Sequence, residues 1–346
     1  MTSGGTNGAV RNGGSVGISV WIKSVSYSIG YIVTSAGLIR FNKWMMKPDH
    51  FPHSLALSAI HMLVSTVLCV FFYTLAPSMF PAMEETKGNR LGLMKWFLPI
   101  GGCFAVMLFG SNQAYMYSSV TFLQFMKEGN VMVVFLISCL FGLQQMNRMR
   151  MLVIVWVIAG SSLAISGDLR FSLPGFVFQG VSQLAECCRM IMGEFVLSGK
   201  KLDPLTYTMF VAPTCLVVLV LANLVHWHPG TLHDLQVWWP LLLCNALLAF
   251  LLNVCVAAVI KECSAVGFVL VGVAKDIFIV LFSCFCFGET VTKQQVTAFT
   301  ITLFGICFWS LMKTMPHHPL VQLCERGLCM EPQVPSEMQG LVEKRV

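Results

Sequence analysis

The sequence predicts an all-α membrane protein with about ten transmembrane helices, arranged as two inverted five-helix repeats. The first indication is composition, since the 346 residues are 56% hydrophobic and only 11% charged, whereas soluble domains are about 25% charged. The second is segment length, because apolar segments long enough to cross a bilayer follow one another from Val20 to Leu311. The third is a local pattern around a lysine that occurs once in each half of the chain.

Polar residues, prolines and glycines divide the apolar sequence into segments that can each span a bilayer. Several connections between them contain only a few residues, which forces neighbouring helices to run antiparallel. We expect a transmembrane domain at residues 20–313, flanked by disordered cytosolic tails at 1–19 and 314–346. The predicted spans are 20–41, 54–76, 95–117, 120–142, 149–166, 174–198, 205–225, 236–258, 264–287 and 293–313.

The repeated pattern begins with a lysine and an acid inside an apolar segment, Lys127-Glu128 and Lys275-Asp276. Each pair is followed by a Ser-Cys dipeptide, a Phe-Gly dipeptide, a short polar loop and a helix that contains a glycine. Because each half holds an odd number of spans, the second half is inverted relative to the first. This arrangement is typical of transporters that bind their substrate near the middle of the membrane. The two halves are residues 20–166 and 174–313.

Several functional classes are excluded by motifs that the sequence lacks. It has no glycine-rich loop ending in Lys-Ser/Thr, no nucleophile elbow and no His-Glu-x-x-His motif. Most cysteines lie in apolar segments, where they act as small hydrophobic residues, and no pair has zinc-finger spacing. The net charge of +6 is spread over the loops and does not form the basic face that nucleic acid requires. We therefore expect no enzyme activity, metal, cofactor or nucleic-acid partner.

The distribution of lysine and arginine between the loops predicts the orientation in the membrane. If both tails are cytosolic, most basic residues of loops and tails lie on the cytosolic side, as the positive-inside rule requires. Residues 1–20 lack the apolar core of a secretory signal, so the first span is expected to act as an uncleaved targeting signal. The basic residues left on the opposite side are Lys43, Lys47, Arg170 and Lys293.

Lys127 and Lys275 are the main candidates for substrate binding. A charge at membrane depth is unfavourable enough to mark a functional site, and an ammonium group suits a phosphate oxygen. The alternative is that each lysine only neutralises the acid beside it. Adjacent helical residues point about 100° apart, so Lys127 and Glu128 do not face each other well. Glu128 and Asp276 remain open between counter-ions that fix packing and groups that accept protons or substrate hydroxyls.

The end of the third span carries a second candidate set. Tyrosines are common at the edge of a membrane, but aromatic and amide side chains also bind sugars and bases. Both interpretations remain open for Asn112, Gln113, Tyr115 and Tyr117.

Five further residues have either a packing role or a place at the mouth of a cavity. Glu186 and Arg189 are three residues apart, which favours a local ion pair that fixes helix packing. Arg40 and Lys43 end the first span, where long basic side chains reach toward the membrane surface, or where they would attract anions. His61 lies within an apolar segment, which favours a packed histidine with one hydrogen bond over a ligand or proton relay.

Four stretches together resemble the triose-phosphate translocator and nucleotide-sugar transporter family of the drug/metabolite transporter superfamily. Their order and spacing carry the resemblance, which covers nearly all of the membrane-spanning part. The stretches are Phe41-Asn42-Lys43 with Phe51-Pro52 and His61; Ser119-Val120-Thr121-Phe122 with Gln124 and Lys127; Arg189 with Lys200-Lys201-Leu202-Asp203-Pro204 and Ala212-Pro213; and Lys275-Asp276 with Gly288-Glu289-Thr290-Val291-Thr292.

The resemblance implies that Lys127 and Lys275 bind the phosphate or diphosphate of the substrate. One departure from the family is clear. Plastid members that exchange sugar phosphates for phosphate carry Lys-Arg where this chain has Lys275-Asp276. The exchange of a cation for an acid favours the Golgi-type branch over triose phosphate.

The resulting expectation is an alternating-access antiporter that exchanges a nucleotide sugar for a nucleoside monophosphate across a Golgi or endoplasmic-reticulum membrane. A sugar-phosphate/phosphate exchanger of the same fold, in a plastid-type membrane, is the first alternative. A membrane scaffold or receptor that transports nothing is the second. The implied partners are a small phosphorylated substrate, a counter-substrate phosphate and the lipid bilayer. The sequence gives no oligomeric state.

Overall fold

The computed structural model describes residues 13–140, 146–167, 171–200, 202–262, 265–288, 290–315 and 318–327. These residues form helices and connecting turns, with no strand among them. The helices are α1 Gly13–Met45, α2 Ser54–Leu75, a 3₁₀ turn Pro77–Met79, α3 Pro81–Glu85, α4 Arg90–Tyr117, α5 Val120–Lys127, α6 Asn130–Leu140, α7 Arg148–Ser166, α8 Leu173–Lys200, α9 Pro204–Val225, α10 Gly230–Glu262, α11 Ala265–Phe287, α12 Lys293–Thr314 and α13 Pro319–Gly327.

The architecture confirms the predicted fold class, an all-α multi-pass membrane protein. Seven helical segments of the described ranges are long and apolar enough to cross a membrane. Each of the ten predicted spans coincides with helix, but the fourth is divided into α5 and α6. The predicted disordered tails also differ in part, since α1 already begins at Gly13 and α13 occupies Pro319–Gly327. Residues 1–12 and 328–346 lie outside the described residues, as does Phe141-Gly142 of the repeated pattern.

Short polar residues set the helix starts, as their hydrogen-bonding chemistry requires. The side chains of Ser119 and Asp203 accept hydrogen bonds from the backbone N–H groups of Phe122 and Thr206 at 3.1 and 2.8 Å. Asn147 begins α7 in the same way, and Thr292 begins α12 with a capping box. The end of α11 is followed by Gly288, whose φ of 63° lies in the left-handed region that glycine adopts most easily.

The chain divides into two compact units, and each contains segments from both sequence halves. The first unit is Met1–Gly101 with Val196–Ile279, and the second is Gly102–Phe195 with Val280–Val346. In the first unit, α1 packs along α10, and α2 packs along both α9 and α10. In the second unit, α7 packs along α12 and also contacts α5 and α6. The predicted halves are therefore not the compact units, and the inverted repeat stays a prediction about sequence and topology.

The contact between α7 and α12 in the second unit depends on two glycines. A Cβ atom on Gly160 would lie 2.4 Å from Thr302 Oγ1, and one on Gly305 would lie 2.8 Å from Val157 Cγ2. Val157 on α7 faces Gly305 on α12, and the later residue Gly160 faces the earlier residue Thr302. The two helices therefore run antiparallel. Since α7 and α12 coincide with the last spans of the two predicted halves, the two glycines would occupy matching places in the predicted repeat. Small residues at such places let membrane helices approach closely.

We predict that Gly160→Ala lowers the stability of the protein because the new methyl group must displace Thr302 or separate the two helices. An overpacked contact of this kind costs about 1–3 kcal/mol. The apparent melting temperature of purified protein in detergent measures the effect. Gly102→Ala is the matched control, since a Cβ atom there meets nothing within 4 Å. Equal melting temperatures for both variants would contradict the close approach of α7 and α12.

Candidate functional site

Lys127 is the last residue of α5, and it lies in the second unit. Its side chain is half-buried, while Met126 and Glu128 on either side are buried. Among the described residues, no hydrogen bond or ion pair engages its ammonium group. A cation at this depth without a compensating anion is unfavourable in lipid, so Lys127 is available to an anionic ligand.

The helix is interrupted directly after this lysine. The N–H of Gly129 donates to the carbonyl of Met126 at 3.2 Å, which is the tight geometry of a helix end, and α6 begins at Asn130. A helix C-terminus carries partial negative charge, which favours a cation such as Lys127 at that place. Interrupted helices occur at membrane depth where backbone lines a cavity or is buried in protein. The break therefore adds to the evidence that this region is a site.

Lys275 has a different environment within the first unit. The helix α11 continues through it without a break, and Lys275 Nζ lies 2.7 Å from Asp276 Oδ1. The two side chains are only 16% and 14% exposed. Neutralisation by the neighbouring acid, one of the two alternatives from the sequence, therefore describes Lys275 but not Lys127. The two lysines occupy matching places in the predicted repeat, but among the described residues only Lys275 is paired with the acid beside it.

The predicted ion pair between Glu186 and Arg189 on α8 is wrong. Glu186 Oε2 instead accepts a hydrogen bond from Asn130 Nδ2 at 2.9 Å, and the guanidinium carbon of Arg189 lies 4.7 Å from the centre of the Phe104 ring. Each side chain finds its partner on another helix of the second unit. Interhelical contacts therefore replace the local pair, and the bond to Asn130 connects α8 to the start of α6.

The candidate set at the end of α4 separates into buried and exposed members. Asn112 and Tyr115 are buried and Gln113 is half-buried, whereas Tyr117 is exposed and stacks on Phe178 of α8 with ring centres 5.9 Å apart. A role in substrate binding remains a prediction for all four predicted residues. The burial of Asn112 and Tyr115 places polar groups inside the second unit, near the α4–α8 contact.

A buried chain of hydrogen bonds connects three helices of the first unit. His61 Nε2 on α2 is hydrogen-bonded to Asn245 Oδ1 on α10, and Asn245 Nδ2 donates to Asn42 Oδ1 on α1 at 2.9 Å. All three side chains are buried, and Asn245 is 0% exposed. His61 is therefore a packed histidine with a hydrogen bond. Arg40 and Lys43 on α1 are half-buried. Their possible place at a cavity mouth stays a prediction.

Sequence reasoning missed two buried glutamines of the second unit. Gln124 on α5 lies in one of the stretches that resemble the family, and Gln179 on α8 lies outside them. Their side chains are 0% and 1% exposed, and within the described chain neither amide has a hydrogen-bond partner. A glutamine inside an apolar segment, repeated at helical spacing by Gln183 and Glu186, was the signal that could have found them. Metal-binding side chains form no group of three anywhere in the described ranges.

A comparison with known proteins decides the family. A sequence profile of the Triose-phosphate Transporter family matches residues 24–310, a range that includes both lysines. The chain belongs to the triose-phosphate transporter family. Members of this family are transporters. The family lies in the drug/metabolite transporter superfamily, which confirms the family resemblance of the sequence.

Similar proteins come from Arabidopsis thaliana. Two are each named "Probable sugar phosphate/phosphate translocator". One is 31% identical over 286 residues, or 81% of this chain and 85% of the relative. The other is 31% identical over 295 residues, or 82% and 85%. A more distant relative, "UDP-galactose transporter 1", is 24% identical over 295 residues, or 83% and 85%.

We predict that Asn245→Leu destabilises the protein, because it removes both hydrogen bonds that connect α1, α2 and α10. Buried polar groups that lose their partner cost about 1–3 kcal/mol each. Asn223→Leu is the matched control, since the amide of Asn223 donates only to the Leu219 carbonyl of its own helix. Thermal unfolding in detergent should show a clearly larger drop in melting temperature for Asn245→Leu. An equal drop for the two variants would contradict a supporting role of the buried chain.

Proposed function

We propose that this triose-phosphate transporter family member exchanges a sugar phosphate for inorganic phosphate by alternating access, with Lys127 holding the phosphate. The observation that carries the proposal is the half-buried ammonium group of Lys127, which lies beside a helix break and forms no ion pair with a protein anion among the described residues. An ammonium group and a phosphate oxygen form a strong charge-assisted hydrogen bond. The names of the two plant relatives support a sugar phosphate as the substrate.

The same lysine gives a physical reason for exchange rather than one-way transport. A cavity that carries an uncompensated cation is costly to reorient through the low-dielectric part of the membrane. A bound phosphate neutralises the cation and lowers that cost. The empty carrier therefore returns slowly, and transport requires a phosphate compound on each side.

Lys275 contributes less to phosphate binding in this proposal. Its ammonium group is already 2.7 Å from Asp276 Oδ1, so a phosphate would compete with that carboxylate. A second candidate function is the exchange of a nucleotide sugar for a nucleoside monophosphate. Asp276 stands where plastid members have a cation, and the similarity to a UDP-galactose transporter supports this candidate. It would place the protein in a Golgi or endoplasmic-reticulum membrane, with both tails in the cytosol.

We predict that purified protein in liposomes takes up radiolabelled phosphate only when the liposomes are preloaded with a phosphate compound. Lys127→Gln should lower this uptake at least about tenfold, because the anion loses its charged partner. Lys293→Gln is the control for loss of a lysine, since Lys293 is exposed at the start of α12. Preloading with phosphate, sugar phosphates or nucleoside monophosphates in parallel separates the two candidate substrates.

Normal exchange by Lys127→Gln would contradict the assigned role of Lys127. Wild-type protein that exchanges no compound of the panel would contradict transport altogether and would support a scaffold or receptor.

We further predict that Asp276→Asn strengthens phosphate binding, because it releases the ammonium group of Lys275 from its ion pair. The KM for phosphate in the liposome assay should fall, by about threefold or more. The double variant Lys275→Gln with Asp276→Asn should lose this gain, which serves as the control. An unchanged or higher KM in Asp276→Asn would show that the carboxylate itself takes part in binding or coupling.

A further inference from the structure

The second unit holds polar groups that the proposed phosphate contact does not use. We call Gln124 on α5 together with Gln179 and Gln183 on α8 the glutamine patch. Gln124 and Gln179 are at least 99% buried, and among the described residues neither the nitrogen nor the oxygen of either amide has a hydrogen-bond partner. The amide nitrogen of Gln183 is also buried without a partner within the described part of the chain.

Two contacts fix how α5 lies along α8. At one end Ser118, just before α5, touches Gly175, where an added Cβ atom would lie 2.0 Å from Ser118 Oγ. At the other end Asn130, just after α5, bonds to Glu186 and lies beside Cys187. Ser118 and Asn130 are twelve residues apart, and their partners Gly175 and Glu186 are eleven residues apart. The two segments therefore run parallel with nearly equal spacing.

This register places the glutamines at one level. Gln124 is midway between Ser118 and Asn130, and the matching midpoint of α8 lies between Gln179 and Gln183. Gln179, Gln183 and Glu186 share one face of α8, because residues four and three positions apart are neighbours on a helix. Glu186 reaches Asn130 from that face. The face that carries the two α8 glutamines is therefore turned toward the chain segment that contains Gln124.

Packing alone gives no reason for amides at these positions. A buried amide without a partner is less favourable than an apolar side chain of the same size, and lipid supplies no hydrogen bond in its place. The contacts of Asn130 with Glu186 and with Cys187, which join the two segments, do not involve the glutamines. The amides therefore need a hydrogen-bonding ligand, and each offers two donors and an acceptor oxygen.

We propose that the glutamine patch binds the hydroxyl groups of the sugar part of the substrate, next to the phosphate at Lys127. Hydroxyl groups both donate and accept, which matches amides, whereas the ionised oxygens of a phosphate accept and suit an ammonium group. Lys127 lies three residues after Gln124, or about 4.5 Å along the helix axis, which is the scale of one sugar ring. This inference rests on the proposed function, and it makes the sugar hydroxyls the groups that distinguish a sugar phosphate from phosphate alone.

The test replaces Gln124 and Gln179 together by methionine, which keeps the length of the side chain and removes the amides. Three exchange reactions are measured in liposomes preloaded with phosphate: uptake of phosphate, of phosphoenolpyruvate, which has no hydroxyl group, and of triose, pentose and hexose phosphates. The double variant should raise the KM for the sugar phosphates about tenfold or more, and leave the KM for the other two within about twofold. Gln294→Met, which removes an exposed amide bonded to Ser166 Oγ and the Leu163 carbonyl, should leave all values unchanged.

A second measurement separates binding from folding. Because neither amide has a hydrogen-bond partner among the described residues, the double variant should unfold at the wild-type temperature or above. A lower melting temperature or a failure to fold would show a structural role and would overturn the inference. So would an equal rise in KM for phosphate, an unchanged KM for sugar phosphates, or a wild-type protein that exchanges phosphate but no sugar phosphate. A wild-type protein that exchanges none of the compounds would instead contradict the proposed function itself.

Discussion

The constraint behind the whole structure is that polar and charged groups inside a membrane must be satisfied by the protein or by a ligand, since lipid offers nothing. Lys275 is satisfied by its own neighbour, Asp276, at 2.7 Å. Asn42, His61 and Asn245 satisfy one another and connect three helices of the first unit. Lys127 has no such arrangement within the described chain. What the protein leaves uncompensated is thus the best guide to what it carries.

Close contacts fix the positions of the helices in the unit that contains Lys127. Gly160 and Gly305 bring α7 and α12 into direct contact, and Gly110 brings α4 close to the backbone of α8, where a Cβ atom would lie 2.9 Å from the Phe178 carbonyl. Ser182 on α8 adds a hydrogen bond to the Met107 carbonyl at 2.7 Å. Close backbone packing of this kind fixes helix positions without a hydrophobic driving force. The interrupted helix between Lys127 and Asn130 is therefore supported by rigid neighbours.

Much of the fold could be predicted from sequence because apolar length and turn chemistry act locally. Asn147 and Thr292 begin the helices that the spans at 149–166 and 293–313 predicted. The break at Gly129 could not be predicted, because a single glycine in an apolar segment does not decide between a continuous and a divided helix. The different environments of Lys127 and Lys275, and the contact of Glu186 with Asn130, depend on tertiary packing. A local pattern contains no such information.

Family membership shows a transporter, and the geometry around Lys127 supports the proposal that it carries a phosphate compound. The direct test of the central claim is binding of inorganic phosphate to purified protein, followed as the rise in melting temperature in detergent. Phosphate should raise the melting temperature of wild-type protein and of Lys293→Gln, but not that of Lys127→Gln. An equal phosphate-dependent rise in Lys127→Gln would contradict the assignment of Lys127 as the phosphate-binding residue.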